Sequence, residues 1–84
     1  MFRSLIESYI DDITEEDIIS FAENDDVIVT KEEASIFIKT IKNNKDDIFA
    51  GNGQKYIDDL KDKLSPEAFD ELNYLWGKYK KFIG

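Results

Sequence analysis

Histidine and cysteine are both absent from the 84 residues, and each absence removes a class of chemistry. Without histidine the commonest general base, proton shuttle and transition-metal ligand is missing, so most hydrolytic and redox mechanisms are disfavoured. The chain is therefore not expected to be an enzyme. Without cysteine there are no disulfides, no thiolate zinc sites and no thiol nucleophiles, and no cofactor is expected. Apolar runs are short as well. None exceeds three residues, as in Val27-Ile28-Val29 and Ile36-Phe37-Ile38. That excludes a helical membrane span and leaves no hydrophobic stretch for a signal peptide, so the expected compartment is the cytoplasm.

Positive charge is scarce where the chain begins. Residues 1–33 hold eleven acids against two bases, whereas residues 34–84 hold eight against nine, for a net charge of −8. Such a chain is repelled by phosphate, so neither nucleic acid nor an anionic membrane is an expected partner. The acidity reads either as a solubilising surface or as a face that meets a basic protein. A hydrophobic content of 42% with 13% aromatics is that of a folded chain. Its length suits one domain over residues 1–84.

The richest stretch is 65–84. Ser65 is a good N-cap, and Pro66 suits the first helical position, where its missing N–H is not needed. Phe69, Leu72, Trp76, Tyr79 and Ile83 then follow at helical spacing, widened by Leu75 and Phe82. Trp76 is expected to be buried against the first and third helices.

Earlier in the chain, Leu5, Ile6, Tyr9 and Ile10 place a helix over 3–11. Thr14 with Asp17 resembles a capping box and opens a helix over about 15–24. Thr30 with Glu33 is a full capping box and opens a third over about 31–43, with Ala34, Phe37, Ile38 and Ile41 on one face. Between them, three β-branched residues favour an extended backbone. Ile48-Phe49-Ala50 suits either an extended segment or a helical turn. Gly51-Asn52-Gly53 is a breaker, with Asn52 as N-cap of a helix over about 53–63 that carries Tyr56, Ile57, Leu60 and Leu64. The expected fold is all-α: a small bundle of about five short helices, with room for a minimal extended bridge near Val29.

Several constellations invite a chemical reading. Aligned as an EF-hand loop ending at Glu33, the sequence puts Asn24, Asp26, Thr30 and Glu33 at ligand positions. Ala22 then stands where the first carboxylate belongs, and Val27 where the loop needs glycine. No metal is therefore assigned. Gly51-Asn52-Gly53 with Lys55 lacks the remainder of a phosphate loop. The carboxylates Asp58, Asp59, Asp62, Asp70 and Glu71 read as a solvated helix face ahead of an acid/base pair. Lys78, Lys80 and Lys81 favour the negative end of the last helix. Gly77 costs that helix about 1 kcal/mol unless a second backbone crosses there.

The order Ile13-Thr14-x-x-Asp17-Ile18, a hydrophobic triplet followed by Thr30 and Ala34, then Ile48-Phe49, then Leu64-Ser65-Pro66-Glu67-Ala68 resembles a family of short uncharacterised proteins from Bacillus and its relatives. In that family a similar I-T-x-x-E-L begins a helix, and S-P-E-T-A opens the last. Here Gly51-Asn52-Gly53 stands where the family tends to show a charged helix start. The resemblance implies an all-helical cytoplasmic protein of unknown function and carries over no catalytic residue.

By subtraction, the functional expectation is a cofactor-free protein–protein interaction or regulatory module. Asp25, Asp26, Tyr74 and Gly77 are the candidates for contact with a protein partner. The alternatives are a degenerate EF-hand-like metal-binding module and an acidic mimic of nucleic acid.

Overall fold

The Thr14 and Thr30 hydroxyls each accept a hydrogen bond from the backbone N–H three residues on, and the Asp17 and Glu33 carboxylates accept one in turn from the threonine N–H. Both capping boxes thus form, and they fix two helix starts. The computed structural model describes the backbone of residues 2–83 and the side chains of residues 7–78. Its elements are α1 (Phe2–Asp12), α2 (Glu15–Asn24), α3 (Lys31–Asn43), α4 (Lys45–Phe49), α5 (Gln54–Asp58), a 3-10 turn (Asp59–Asp62) and α6 (Pro66–Ile83). The fold is all-α, with no strand among the described residues.

Helix ends are as defined as the starts. After α2, Asp26 N–H bonds to Glu23 O and Val27 N–H to Ala22 O, with Asp26 in the left-handed region at φ 61°. This is a Schellman stop with aspartate where glycine is usual. After α4 the same pair of bonds recurs, Gly51 N–H to Ile48 O and Asn52 N–H to Asp47 O, and here the left-handed residue is Gly51 at φ 90°. Ile48 and Phe49 therefore lie in a helical turn.

Three details depart from the sequence reading. No bridge forms at Val29: its side chain is buried in the core, and its backbone meets no second extended segment among the described residues. Asn52 is not an N-cap. Its N–H closes the end of α4, and Gly53 takes the cap position of α5 without a side-chain bond. The helix expected over 53–63 tightens after Asp58 into the 3-10 turn, which leaves both Leu60 and Leu64 buried just before Ser65. Among the described residues the helices thus number six, plus this turn.

α3 is the central element and packs on α1, α2, α4 and α5, while α6 packs on α1 and the 3-10 turn. Ile18, Phe37, Ile48, Ile57, Leu60 and Leu72, drawn from six different elements, are the largest fully buried side chains among the described residues. Of the α6 stripe, Leu72, Leu75 and Trp76 are buried and Phe69 is partly so. Tyr79, Phe82 and Ile83 lie outside the described side chains, as do Leu5 and Ile6 of α1.

Two long-range contacts seat α6. At its start, Ser65 Oγ accepts the Ala68 N–H as an N-cap, and Ser65 N–H donates to Glu33 Oε2 at 2.9 Å. Glu33 Oε1 is already held by Thr30 N–H at 3.1 Å. Further along α6, Trp76 is 4% exposed, and its Nε1 donates to Gln54 Oε1 at 3.0 Å. The indole lies so close to Gly53 that a Cβ there would stand 2.7 Å from Cη2 and 2.8 Å from Cζ2. Both partners, Gly53 and Gln54, lie at the start of α5, an element not expected from the sequence to meet the indole.

Truncating Trp76 to alanine is expected to cost about 3–5 kcal/mol, and Gly53→Ala, which crowds the same space, about 1–3 kcal/mol. Denaturant unfolding measures both, and a loss under about 1 kcal/mol for Trp76→Ala contradicts this packing. Glu33 adds a pH signature. Burial pushes its carboxyl up, but hydrogen bonds from Ser65 and Thr30 outweigh burial and hold it below the ordinary 4.5. Its stabilisation is therefore complete above pH 4.5 and is lost as pH falls through the lower folded value. Glu33→Gln is expected to cost about 1–3 kcal/mol near neutrality. In acid unfolding the gap from the parent chain should close; a gap that persists at low pH excludes the ionised latch.

Candidate functional site

The end of α2 and the middle of α6 come together at Asp25. Asp25 caps α2, its N–H bonded to Ala22 O at 3.0 Å, and is exposed. Its carboxyl acts on Glu71 and Lys78 of α6. Glu71 is 6% exposed, and its Oε2 has no hydrogen-bond partner among the described residues. Burial first, then a hydrogen bond with Asp25 and the Asp25 charge, raise its carboxyl to about 7, with Lys78 pulling the other way. Lys78 Nζ stands 4.5 Å from the centre of the Tyr74 ring, one turn back along the helix. A hydrogen bond with Tyr74 holds the ammonium above its ordinary range, burial opposes this, and Asp25 and Glu71 reinforce it. The Tyr74 ring itself is 53% exposed.

From Asp25 the chain runs through the left-handed Asp26 into an extended stretch, where successive side chains face opposite ways. Val29 is buried, Val27 is partly buried, and Ile28 between them is 82% exposed. The β-branched triplet thus turns its middle residue outward. Alternation between two helix ends was the available signal, and the three consecutive β-branched residues hid it.

The remaining candidates disperse. Asn24 is the last residue of α2, Asp26 serves the helix stop, and Thr30 and Glu33 are committed to the α3 cap and to Ser65. These four are a helix-end residue, a turn residue and two residues of the α3 cap. Among the described residues no group of three or more acidic side chains could hold a metal ion. The glycine loop is no phosphate cradle, since Asn52 N–H is spent on Asp47 O and Gly53 is buried under Trp76. Lys55 lies over the Tyr56 ring at 5.1 Å. Of the five carboxylates weighed for acid/base work, Asp58 accepts from Gln54, and Asp59, Asp62 and Asp70 are exposed. Glu71 is the buried one. Around Gly77 an added Cβ would meet none of the described atoms within 4 Å. Lys80 and Lys81 lie outside the described side chains.

Part of the acidic end is paired internally. Lys45 Nζ meets Asp11 Oδ1 at 2.9 Å and Lys42 Nζ donates to Asp11 O at 3.2 Å, which ties the end of α1 to the α3–α4 junction. Asp25 and Asp26 lie at the opposite end of α2 from its N-cap Thr14.

A family model described as "Protein of unknown function (DUF2624)" matches residues 1–80. The chain belongs to this family. No match was found among the curated proteins or the solved structures. The DUF2624 match takes in both capping boxes, the Ser65-Pro66 start and the Asp25–Glu71 contact. Among the described residues no helix is long and apolar enough to cross a membrane.

With Glu33 engaged twice and Thr30 in its cap, calorimetric titration of this DUF2624 chain with calcium is expected to show no binding in the sensor range. A dissociation constant of about 10 µM or tighter would restore the EF-hand alignment.

Proposed function

We propose that this DUF2624 protein acts by docking another protein, without a cofactor and without catalysis. Its contact face is the end of α2, the connection that presents Ile28, and the adjoining turn of α6 at Tyr74. The observation that carries the reading is Ile28: a large apolar side chain 82% exposed, held outward because its neighbour Val29 is anchored in the core. Tyr74 adds an exposed aromatic ring with a polar tip, the residue type enriched where proteins meet. Asp25 and Asp26, exposed and just before Ile28 in the chain, add negative charge, so the fitting partner is a basic surface with an apolar recess.

Gly77 fits the same face. An alanine there finds open space within the chain, so Gly77→Ala should stabilise the free protein by about 0.5–1 kcal/mol, as expected for removing a mid-helix glycine. A partner backbone crossing at Gly77 would make the same substitution weaken association.

The test begins with affinity capture from the source cells, followed by binding measurements with the purified partner. Ile28→Ser should leave stability within about 0.5 kcal/mol, because the side chain is solvated. It should weaken association by about tenfold or more, as loss of an interface anchor does. Asp26→Asn keeps a side chain that tolerates the left-handed backbone, and it should slow association most at low salt. A partner whose binding ignores salt, Ile28→Ser and Gly77→Ala alike would overturn the assignment of this face.

A further inference from the structure

We propose that the Asn52–Gly53 link is a site of self-modification, at which the Gly53 amide closes onto the Asn52 carboxamide and the resulting succinimide opens in water to an isoaspartyl link. The Trp76 indole packed on Gly53 gates this reaction and is unseated by its product. The inference is independent of the docking reading.

Asparagine stands at positions 24, 43, 44, 52 and 73, and Asn52 alone is followed by glycine. A residue without Cβ lets its amide nitrogen approach a neighbouring carbonyl closely. Asn24, Asn43 and Asn73 precede amides that are already engaged. Asp25 N–H donates to Ala22 O at 3.0 Å, Asn44 N–H donates to Ile41 O at 3.3 Å, and Tyr74 lies inside α6. The Asn44 side chain is itself held by Thr40 O at 2.8 Å. Asn52, by contrast, is exposed, and its side chain makes no hydrogen bond among the described residues. Gly53 N–H makes none there either, because Gly53 holds the N-cap position of α5, outside the helical ladder. Electrophile and nucleophile are adjacent and both uncommitted.

The step balances without oxidant or cofactor. Hydroxide takes the Gly53 amide proton, and the nitrogen bonds to Asn52 Cγ. The Cγ–Nδ2 bond breaks and the nitrogen leaves as ammonia, its added proton coming from water. A second water then opens the ring. Cleavage at the main-chain carbonyl leaves the isoaspartyl link, in which the chain runs through Cβ and Cγ of residue 52; cleavage at Cγ leaves an ordinary aspartyl link. Either way one water is consumed, ammonium leaves with the proton of the new carboxyl, and the chain gains one negative charge.

The surroundings of Gly53 supply both gate and consequence. A Cβ there would stand 2.7 Å from Cη2 of Trp76 and 3.0 Å from Cγ1 of Ile48, so Gly53 lies tight against α6 and α4. Ring closure has to turn the Asn52–Gly53 peptide, and it proceeds from conformers in which the indole has lifted. What keeps the indole down is its Nε1 bond to Gln54 Oε1 at 3.0 Å. The isoaspartyl link then adds a methylene to the main chain beside a residue with no room for a Cβ. Gly53 cannot regain its place under Trp76 without moving the start of α5.

The purified full chain should be held at physiological temperature and mildly alkaline pH, then mapped by mass spectrometry and by isoaspartyl methyl transfer. Ammonia loss at position 52 should be about tenfold or more faster than at any other asparagine, since only there does the attacking amide belong to a residue without Cβ. Asn52→Gln, whose cyclisation needs a six-membered ring, should stay intact over the same period. Gln54→Ala, which frees the indole from its hydrogen bond, should speed conversion about two- to tenfold, the weight of one such bond. Trp76 is the only tryptophan, so its fluorescence reports the consequence. The isoaspartyl form, separated by anion exchange, should emit further to the red than the parent. Freshly prepared Asn52→Asp, which has the charge without the added methylene, should keep the parent emission. The proposal is overturned by conversion at Asn52 no faster than at the other asparagines, by a Gln54→Ala rate equal to the parent's, or by an isoaspartyl form with the parent emission.

Discussion

One carboxylate carries the constraint on which the arrangement of this bundle depends. Glu33 closes the capping box of α3 with one oxygen and accepts the Ser65 N–H with the other. The same side chain thus fixes where the central helix starts and where the last helix starts, 32 residues later. Helix starts leave N–H groups without intrahelical partners, and these take acceptors from side chains or water. Glu33 supplies one to each. Because α3 touches four other helices, this contact ties the start of α6 to the element at the centre of the core.

Further along, α6 is held by contacts of a different kind. Trp76 fits over a residue with no side chain, and its indole N–H is satisfied by Gln54, so a large aromatic is buried without an orphaned donor. Glu71, on the same helix, is the contrary case: a carboxyl placed in the core with another carboxyl beside it. The fold therefore satisfies its polar groups well at the starts of α2, α3 and α6 and poorly at Glu71. That point is where α6 meets the end of α2, beside the most exposed isoleucine of the described chain. Strain, charge and exposed apolar surface coincide at this corner of the molecule.

For the site, legibility was uneven. Asp25, Asp26, Tyr74 and Gly77 were all readable as surface candidates, and the structure brings Asp25 and Tyr74 to one neighbourhood through Lys78. Ile28 and Glu71 were not. Ile28 sits in a run of three β-branched residues that reads as core, and Glu71 sits in a row of acids that reads as solvated face. In each case composition pointed one way, and the side on which the backbone placed the residue decided the other. The glycines divided similarly. Gly77 drew notice as an interruption of a good helix, whereas Gly53, the one under steric compulsion, looked like half of an ordinary breaker.

The sequence alone determined the helix starts at Thr14, Thr30 and Ser65, the all-α class and the membership of α6 in the core, because each depends on side chains and backbone within about one turn of each other. It also determined the stop after α4, since Gly51 pays no steric penalty for the left-handed backbone. Only the tertiary structure decided that the second oxygen of Glu33 reaches Ser65, that Trp76 lies on Gly53, that Glu71 is buried against Asp25, and that Ile28 is turned out. Those features join residues distant in the chain or depend on which face a neighbour covers. Local propensity and periodicity carry no information about either.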